Sequence, residues 1–147
     1  RHEFPRTLSA SGLFKNVAKH EVHPALIPYS VNSPLWSDGA HKERYIALPG
    51  DNPKIDFHPT KSWGFPEGTV LVKSFALEAI EGDPQSQKWI ETRCLTKQQG
   101  EWVGYAYAWN DEQTDAELVE SEGRDVEIPI RSVDQIKHQK WHIPSRA

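Results

Sequence analysis

The sequence predicts an all-β fold, a single-domain antiparallel β-sandwich of the jelly-roll type with one short N-terminal helix. Short apolar segments separated by turn-forming residues recur about every eight to twelve residues, which is typical of sandwiches. Residues 87–110 contain two alternating runs on either side of a glycine-containing turn, the pattern of a long β-hairpin. No segment has the strand-helix-strand spacing of a parallel sheet. We therefore expect one domain over residues 1–147, with the helix and an ordered loop in residues 1–43 and the sheet in residues 44–143.

The composition excludes several classes of protein. A chain of 147 residues has the usual size of one domain, and its net charge is -4. Lys and Arg are interspersed with Asp and Glu, so the sequence has no basic footprint for nucleic acid. No apolar run is long enough to cross a bilayer, and we expect no membrane insertion. Cys94 is the only cysteine, which excludes an intrachain disulfide, and we expect it to be a small buried side chain.

Both ends of the sequence indicate a piece of a longer protein. The chain starts at Arg1, without a methionine and without the pattern of a signal peptide. Residues 141–147, Trp-His-Ile-Pro-Ser-Arg-Ala, still have the character of structured sequence. We expect the chain to have been excised from a multidomain protein.

The N-terminal region predicts one helix and one loop. Residues 11–18 have Ser11 as a candidate N-cap and apolar side chains on one side, which indicates about two helical turns. Residues 29–40 are rich in turn-forming residues but also carry four large apolar side chains. We expect this segment to be an ordered, partly buried loop, because so much apolar surface is usually packed down.

The rest of the chain predicts a series of strands. Residues 69–77 are apolar on both parities, which is the pattern of a strand covered on both faces, and we expect this strand to be central. The hairpin of residues 87–110 follows it and turns at residues 97–100. The remaining predicted strands are residues 44–48, 54–57, 115–120, 126–130 and 140–143.

Large and small side chains alternate in the second arm of the hairpin. Tyr105, Tyr107 and Trp109 share one parity, and the other parity holds only glycine and alanine from 104 to 108. One hypothesis is that the rings form part of an exposed platform for sugar rings. The commoner arrangement is that they form the inner face of the sandwich, with another element close to the small residues. The ligand-binding residues of the first hypothesis are Trp36, Asp38, Tyr105, Tyr107, Trp109 and Asn110.

The sequence contains no clear catalytic or metal-binding signature. His23, His41 and His58, together with Asp38, are residues of ligand type, but their spacing matches no zinc motif. We therefore expect no catalytic residue, no metal and no cofactor in this chain. A metal-dependent enzyme built on these histidines is the second alternative to the function given below.

Three charged residues lie inside the predicted strands. Glu91 and Arg93 share one parity, which indicates an ion pair more often than a general base. Lys73 interrupts an apolar strand, so its amine needs a carboxylate or access to water. Glu91 and Asp38 are its candidate partners.

Several segments follow one another in a recognisable order. They are residues 28–38 (PYSVNSPLWSD) with Lys42 and Arg44, residues 65–70 (FPEGTV) with Lys73 and Phe75, residues 90–93 (IETR), and residues 109–110 (WN) with 113–116 (QTDA). Together they resemble the non-haem domain of the large dihaem c-type cytochromes of planctomycetes and proteobacteria, the domain that precedes the Cys-x-x-Cys-His haem segment. The resemblance covers nearly the whole chain.

The resemblance carries implications for partners and location. It implies that residues 141–147 lead into a haem c domain, that some relatives carry a sugar-dehydrogenase-like module, and that the protein is periplasmic or otherwise exported. It implies no established activity for the domain itself. We expect a non-catalytic accessory domain that docks or orients the haem module, or holds substrate near a redox partner. A carbohydrate-binding module with a polysaccharide partner is the alternative.

The polar residues of these segments allow two interpretations. They form one buried hydrogen-bonded network that fixes the loop onto the sheet, or they converge on a ligand. We favour the network, because charges of both signs can satisfy one another under a loop. Its predicted members are Asn32, Ser37, Asp38, Lys73, Glu91, Arg93, Gln113 and Thr114.

Overall fold

The computed structural model describes residues 4–145 and has an all-β, sandwich-like fold with antiparallel sheets. The strands are β1 (Phe14–Asn16), β2 (Glu21–Val22), β3 (Ile27–Pro28), β4 (His41–Ala47), β5 (Val70–Glu78), β6 (Gln87–Gln98), β7 (Glu101–Trp109), β8 (Ala116–Leu118), β9 (Arg124–Arg131) and β10 (Ile136–Ile143). Strands β3 to β8 form a six-stranded sheet in sequence order. The pairs β1-β2 and β9-β10 form separate two-stranded sheets.

The large sheet contains the hairpin that the sequence predicts, as β6 and β7. Strands β6 and β7 turn at Gln99 and Gly100, which both have positive φ values, 51° and 78°. Two such residues match the twist of the flanking strands. The carboxylate of Glu67 accepts hydrogen bonds from both turn amides, at 2.7 and 2.6 Å. The predicted central strand is confirmed as β5, which pairs with β4 and β6.

The first face of the large sheet is aromatic. Tyr105, Tyr107 and Trp109 of β7 are buried there, together with Val72 and Cys94 of the neighbouring strands. The N-terminal segment and the β1-β2 pair cover this face. The buried side chains that they contribute are Leu8, Phe14, Val17 and Leu26.

The second face of the large sheet is covered by the β9-β10 pair. Trp141 and Ile143 of β10 pack with Phe75 of β5 and with Ala106 and Ala108 of β7. The rings of Trp141 and Phe75 meet edge to face at 5.6 Å between centroids. The small side chains of β7 therefore lie where a second layer approaches the sheet.

Three local predictions are wrong. Residues 11–18 do not form a helix, because the chain makes a 3-10 turn at Ser9–Ser11, ends it at Gly12 with φ 75°, and continues into β1. Residues 54–57 contribute only an isolated bridge between Asp56 and Gly64. The segment 29–40 is mostly exposed, so its apolar content did not indicate burial.

The fold class is confirmed, with a layer packed against each face of one large sheet. No helix among residues 4–145 has the length and hydropathy needed to cross a membrane.

Candidate functional site

The aromatic residues predicted as a sugar platform lie in two different environments. Tyr105, Tyr107 and Trp109 are buried in the core, so a platform that includes them is wrong. Trp36 is 78% exposed in the loop before β4. The amide side chain of Asn110 makes a local bond to Thr114 Oγ1 at 2.9 Å. Trp36 is therefore the one ring of the predicted set that a ligand can reach.

The predicted polar network is divided among separate groups. Gln113 bonds to both the amide and the carbonyl of Trp89, at 2.7 and 2.9 Å, and so fixes the turn after β7 to β6. Thr114 belongs to the same turn. Asn32, Ser37 and Asp38 lie in the loop, and Asp38 contributes its carbonyl to Gln139. Glu91 and Arg93, both on β6, form a third group, in which Arg93 Nη2 donates a hydrogen bond to Glu91 Oε1.

Arg93 of the third group also belongs to a row of three cations that crosses the sheet. Arg44 of β4 pairs with Lys73 of β5, and Lys73 pairs with Arg93 of β6. Residues that are directly paired in antiparallel strands project from the same face. The row ends at Ala106 of β7, which pairs with Arg93. On the second face of the sheet, three positive charges therefore lie side by side, next to a small side chain.

A fourth cation and one carboxylate lie in the next row. Lys42 pairs with Phe75, and Phe75 pairs with Glu91. The Phe75 ring lies under two cations, with Lys73 Nζ 4.9 Å and Arg93 Cζ 4.7 Å from its centroid. An aromatic face attracts cations but does not neutralise their charge. We call Lys42, Arg44, Lys73 and Arg93 the basic cluster.

Glu91 is the carboxylate beneath the basic cluster. Its side chain is fully buried, and its Oε1 atom accepts hydrogen bonds from Arg93 Nη2 at 2.6 Å and from Trp141 Nε1 at 3.3 Å. Burial raises the pKa of Glu91, while Arg93, Trp141 and Lys73 oppose that shift. Within residues 4–145, Glu91 Oε2 and Arg93 Nε are buried and have no hydrogen-bond partner.

Lys73 and Arg93 line a cleft of about 300 Å³. Gly104 and Ala106 of β7 also line it and leave it open, because neither carries a large side chain. Burial lowers the pKa of Lys73, and the positive charges of the other three members of the basic cluster lower it further, while the carboxylate of Glu91 opposes the shift. A lysine with a lowered pKa beside a cleft marks a candidate functional site. Tyr29 and Pro144 are among the other lining residues.

The exposed loop adjoins the basic cluster. Lys42 Nζ donates a hydrogen bond to the carbonyl of Leu35, which holds the loop against β4. Trp36, Lys42 and Arg44 line another cleft on this side. Trp36 is therefore within the same part of the surface as two members of the basic cluster.

A chain of hydrogen bonds crosses the opposite face of the sheet. Ser74 Oγ lies 2.8 Å from His20 Nε2, and His20 Nδ1 lies 3.3 Å from Glu43 Oε2. Carboxylate, imidazole and hydroxyl in this order are the groups of a serine hydrolase. Ser74 is fully buried, however, and its hydroxyl is shared with Thr92 Oγ1 at 2.7 Å. The arrangement fixes the N-terminal layer and does not present a nucleophile to solvent.

The histidines considered as metal ligands do not converge. His23 Nδ1 accepts a hydrogen bond from the amide of Ala25 at 3.1 Å, and His41 lies beside Glu43 at 3.4 Å. Among residues 4–145, no three side chains of His, Cys, Asp or Glu are grouped to hold an ion. Burial raises the pKa of Cys94 to about 12, so its thiol is protonated and unreactive at neutral pH.

The sequence did not reveal the basic row or the role of His20. Arg44, Lys73 and Arg93 are separated by 29 and 20 positions, and only the register of three strands brings them together. A sequence signal existed only for Lys73, which interrupts the apolar strand β5, because Arg44 and Arg93 lie among other polar residues of β4 and β6. His20 gave no such signal, because it lies in the turn between β1 and β2 and its partners belong to β4 and β5.

No protein-family model, no curated protein and no solved structure matches this chain. The basic cluster and its cleft are therefore identified as the candidate site from geometry and charge.

Proposed function

We propose that this chain is a non-catalytic accessory domain that uses the basic cluster to dock an acidic surface of a haem c domain in the same exported, periplasmic protein. The observation that carries the proposal is the charge of the second face. Four cations gather there around a single buried carboxylate, in a chain whose net charge is -4. A local excess of positive charge favours and orients contact with a negative surface.

The accessibility of the cluster supports docking. The side chain of Arg93 is 40% exposed, and Lys42, Arg44 and Lys73 are all partly exposed. Pro144 and Ser145, which follow β10, line the same cleft. A domain connected to the chain at this point would lie beside the basic cluster, where a short linker gives a high effective concentration.

The non-catalytic part of the proposal is supported by the state of the reactive groups. Ser74 and Cys94 are both buried, so neither the hydroxyl nor the thiol is exposed to solvent. Glu91 is engaged by Arg93 and Trp141. We propose that chemistry occurs in the partner, and that this domain positions the haem module or a sugar-dehydrogenase-like module.

The test is a titration of this chain with the haem c domain of its parent protein. We expect binding at about 10 mM salt that weakens strongly at about 150 mM, because the Debye length shortens. The variant Arg44→Glu should bind at least about tenfold more weakly. Lys15→Glu is the matched control, since Lys15 is exposed on β1, away from the cluster. Equal loss in both variants, or binding insensitive to salt, would contradict the proposal.

A carbohydrate-binding module is the second candidate, and the exposure of Trp36 favours it. An exposed indole next to Lys42 and Arg44 can stack on a sugar ring and contact an acidic substituent. Tryptophan fluorescence can be titrated with plant and algal polysaccharides in the wild type and in Trp36→Ala. A saturable change that disappears in the variant supports this candidate, and an unchanged spectrum with every polysaccharide removes it.

A further inference from the structure

The basic row carries positive charge that the described chain does not neutralise. Arg44, Lys73 and Arg93 occupy directly paired positions, and like charges at such positions destabilise a sheet. Among residues 4–145, the ion pair between Arg93 and Glu91 is the only one that any of the three makes. Lys73 and Arg44 are left without a carboxylate partner in this part of the chain.

Arg93 keeps an unused donor at the same place. Its Nη2 atom donates to Glu91, but its Nε atom is buried and has no acceptor within residues 4–145. A buried donor without an acceptor costs about 1–3 kcal/mol, so such donors are rare in folded proteins. Arg93 therefore keeps one donor that the described residues leave unsatisfied, in a side chain that lines the cleft.

The cleft has the size of a small ligand. Its volume of about 300 Å³ lies at the lower end of the range of small-molecule sites. Gly104 and Ala106 leave the space beside Lys73 and Arg93 unfilled. Leu71 and Leu95, from the row next to the cations, give it apolar walls. A charged group bound there is partly shielded from water, which strengthens its attraction to the cations.

We propose that the cleft binds one oxyanion group, a carboxylate, phosphate or sulfate, between Lys73 and Arg93. The inference rests on the proposed function, because it names the chemical group that a docked partner presents to the basic cluster. The same chemistry is offered by a free small anion, and the experiment distinguishes the two sources. Arg93 provides a planar fork of donors for the oxygens, and Lys73 provides a point charge beside it. Arg44, which is paired with Lys73, adds positive charge next to the cleft.

The repulsion among the three cations of the row gives the proposal a second test, on the stability of the protein. Replacing Lys73 with methionine removes the central repulsion and keeps the aliphatic length of the side chain. We therefore expect Lys73→Met to be more stable than the wild type without added anions, and to lose the response to anions. Residues that serve binding at the expense of stability behave in this way.

The test measures binding of inorganic phosphate, sulfate and malonate to the whole chain, with sodium chloride at matched ionic strength as reference. The readouts are the denaturation midpoint and the amide chemical shifts of Gly104 and Ala106. We expect saturable shifts at millimolar anion, and at least about tenfold weaker binding in Lys73→Met. Lys15→Met, which removes an exposed lysine of β1, should bind like the wild type.

Each result decides between the two proposals. If none of the three anions gives saturable shifts, or if Lys73→Met responds like the wild type, the oxyanion site is wrong, even where a haem c domain still docks in an Arg44-dependent manner. If the anions bind and the haem c domain does not, the oxyanion site stands for a free ligand and the docking function is wrong. If phosphate or malonate competes with the docked domain, both proposals are supported.

Discussion

The imidazole of His20 lies 2.8 Å from the hydroxyl of Ser74, and this contact ties the N-terminal layer to the centre of the large sheet. The chain of bonds continues from Ser74 to Thr92 and from Thr92 to the indole nitrogen of Trp109. One assignment satisfies every group: Trp109 donates to Thr92, Thr92 to Ser74, and Ser74 to His20. This assignment requires a neutral imidazole.

The stability of the protein should therefore depend on pH through His20. Its side chain is 5% exposed, and burial lowers its pKa to about 4, although Glu43 opposes the shift. The unfolded chain binds the proton near pH 6.5 and the folded chain does not, so this contribution is complete above pH 6.5 and is lost as the pH falls to about 4. A shift of this size corresponds to about 3 kcal/mol.

The measurement compares urea unfolding of the wild type and His20→Gln at pH 7 and pH 4. Glutamine keeps a polar group near Ser74 but does not titrate in this range. We expect the wild type to lose about 3 kcal/mol more than the variant between these two pH values. Parallel stability curves for the two proteins would show that His20 is not buried in its neutral form.

Removal of the Thr92 hydroxyl should lower the free energy of unfolding, because this hydroxyl contacts both Ser74 and Trp109. Thr92→Val keeps the shape of the side chain but leaves the indole nitrogen of Trp109 without its acceptor and Ser74 with one partner fewer. A buried donor left unpaired costs about 1–3 kcal/mol. Thr60→Val, at an exposed position, should change the free energy of unfolding by less than about 0.5 kcal/mol. Equal effects in the two variants would contradict this account.

Ser74 should not react as a hydrolase nucleophile, although His20 and Glu43 stand in the order of a catalytic triad. A fluorophosphonate probe must reach the hydroxyl, and Ser74 is fully buried under the N-terminal layer. We expect no labelling of the native protein by mass spectrometry, and no difference between the wild type and Ser74→Ala. Stoichiometric labelling of Ser74 would show that the layer opens and that the domain has a nucleophile.

The sequence predicts the local parts of the fold well and the long-range parts poorly. The hairpin around Gly100 and the buried strand β5 are visible because alternation and turn residues are local signals. The register that aligns Arg44, Lys73 and Arg93 depends on three strands, on turns and on a bulge after Phe75, none of which the chain order displays.

The wrong predictions have the same origin. Phe14 and Val17 have helical spacing but are buried as parts of a strand and a turn that lie on the sheet. Tertiary packing there overrides a weak local preference for helix. The loop around Trp36 shows the reverse effect, because Leu35 and Trp36 are both 78% exposed although their apolar character favours burial.

The packing of the β9-β10 pair can be tested at Gly123. This residue has φ 80°, and an added Cβ would lie 2.8 Å from the carbonyl oxygen of Ile143 and 2.9 Å from His142 Cε1. Gly82 has nearly the same φ, 83°, but an added Cβ there has no neighbour within 4 Å. Both alanine variants carry the strain of a left-handed conformation, about 1–2 kcal/mol, and only Gly123→Ala adds a clash with backbone.

We therefore expect Gly123→Ala to lower the free energy of unfolding by at least about 1 kcal/mol more than Gly82→Ala. The displaced backbone belongs to the strand that carries Trp141, so the hydrogen bond from its indole to Glu91 should weaken as well. Near-ultraviolet circular dichroism of Trp141 and urea unfolding measure the two effects separately. If the two alanine variants are equally stable, the end of β10 moves to make room for the added methyl group. The β9-β10 pair is then packed less tightly against the second face than the distances at Gly123 indicate.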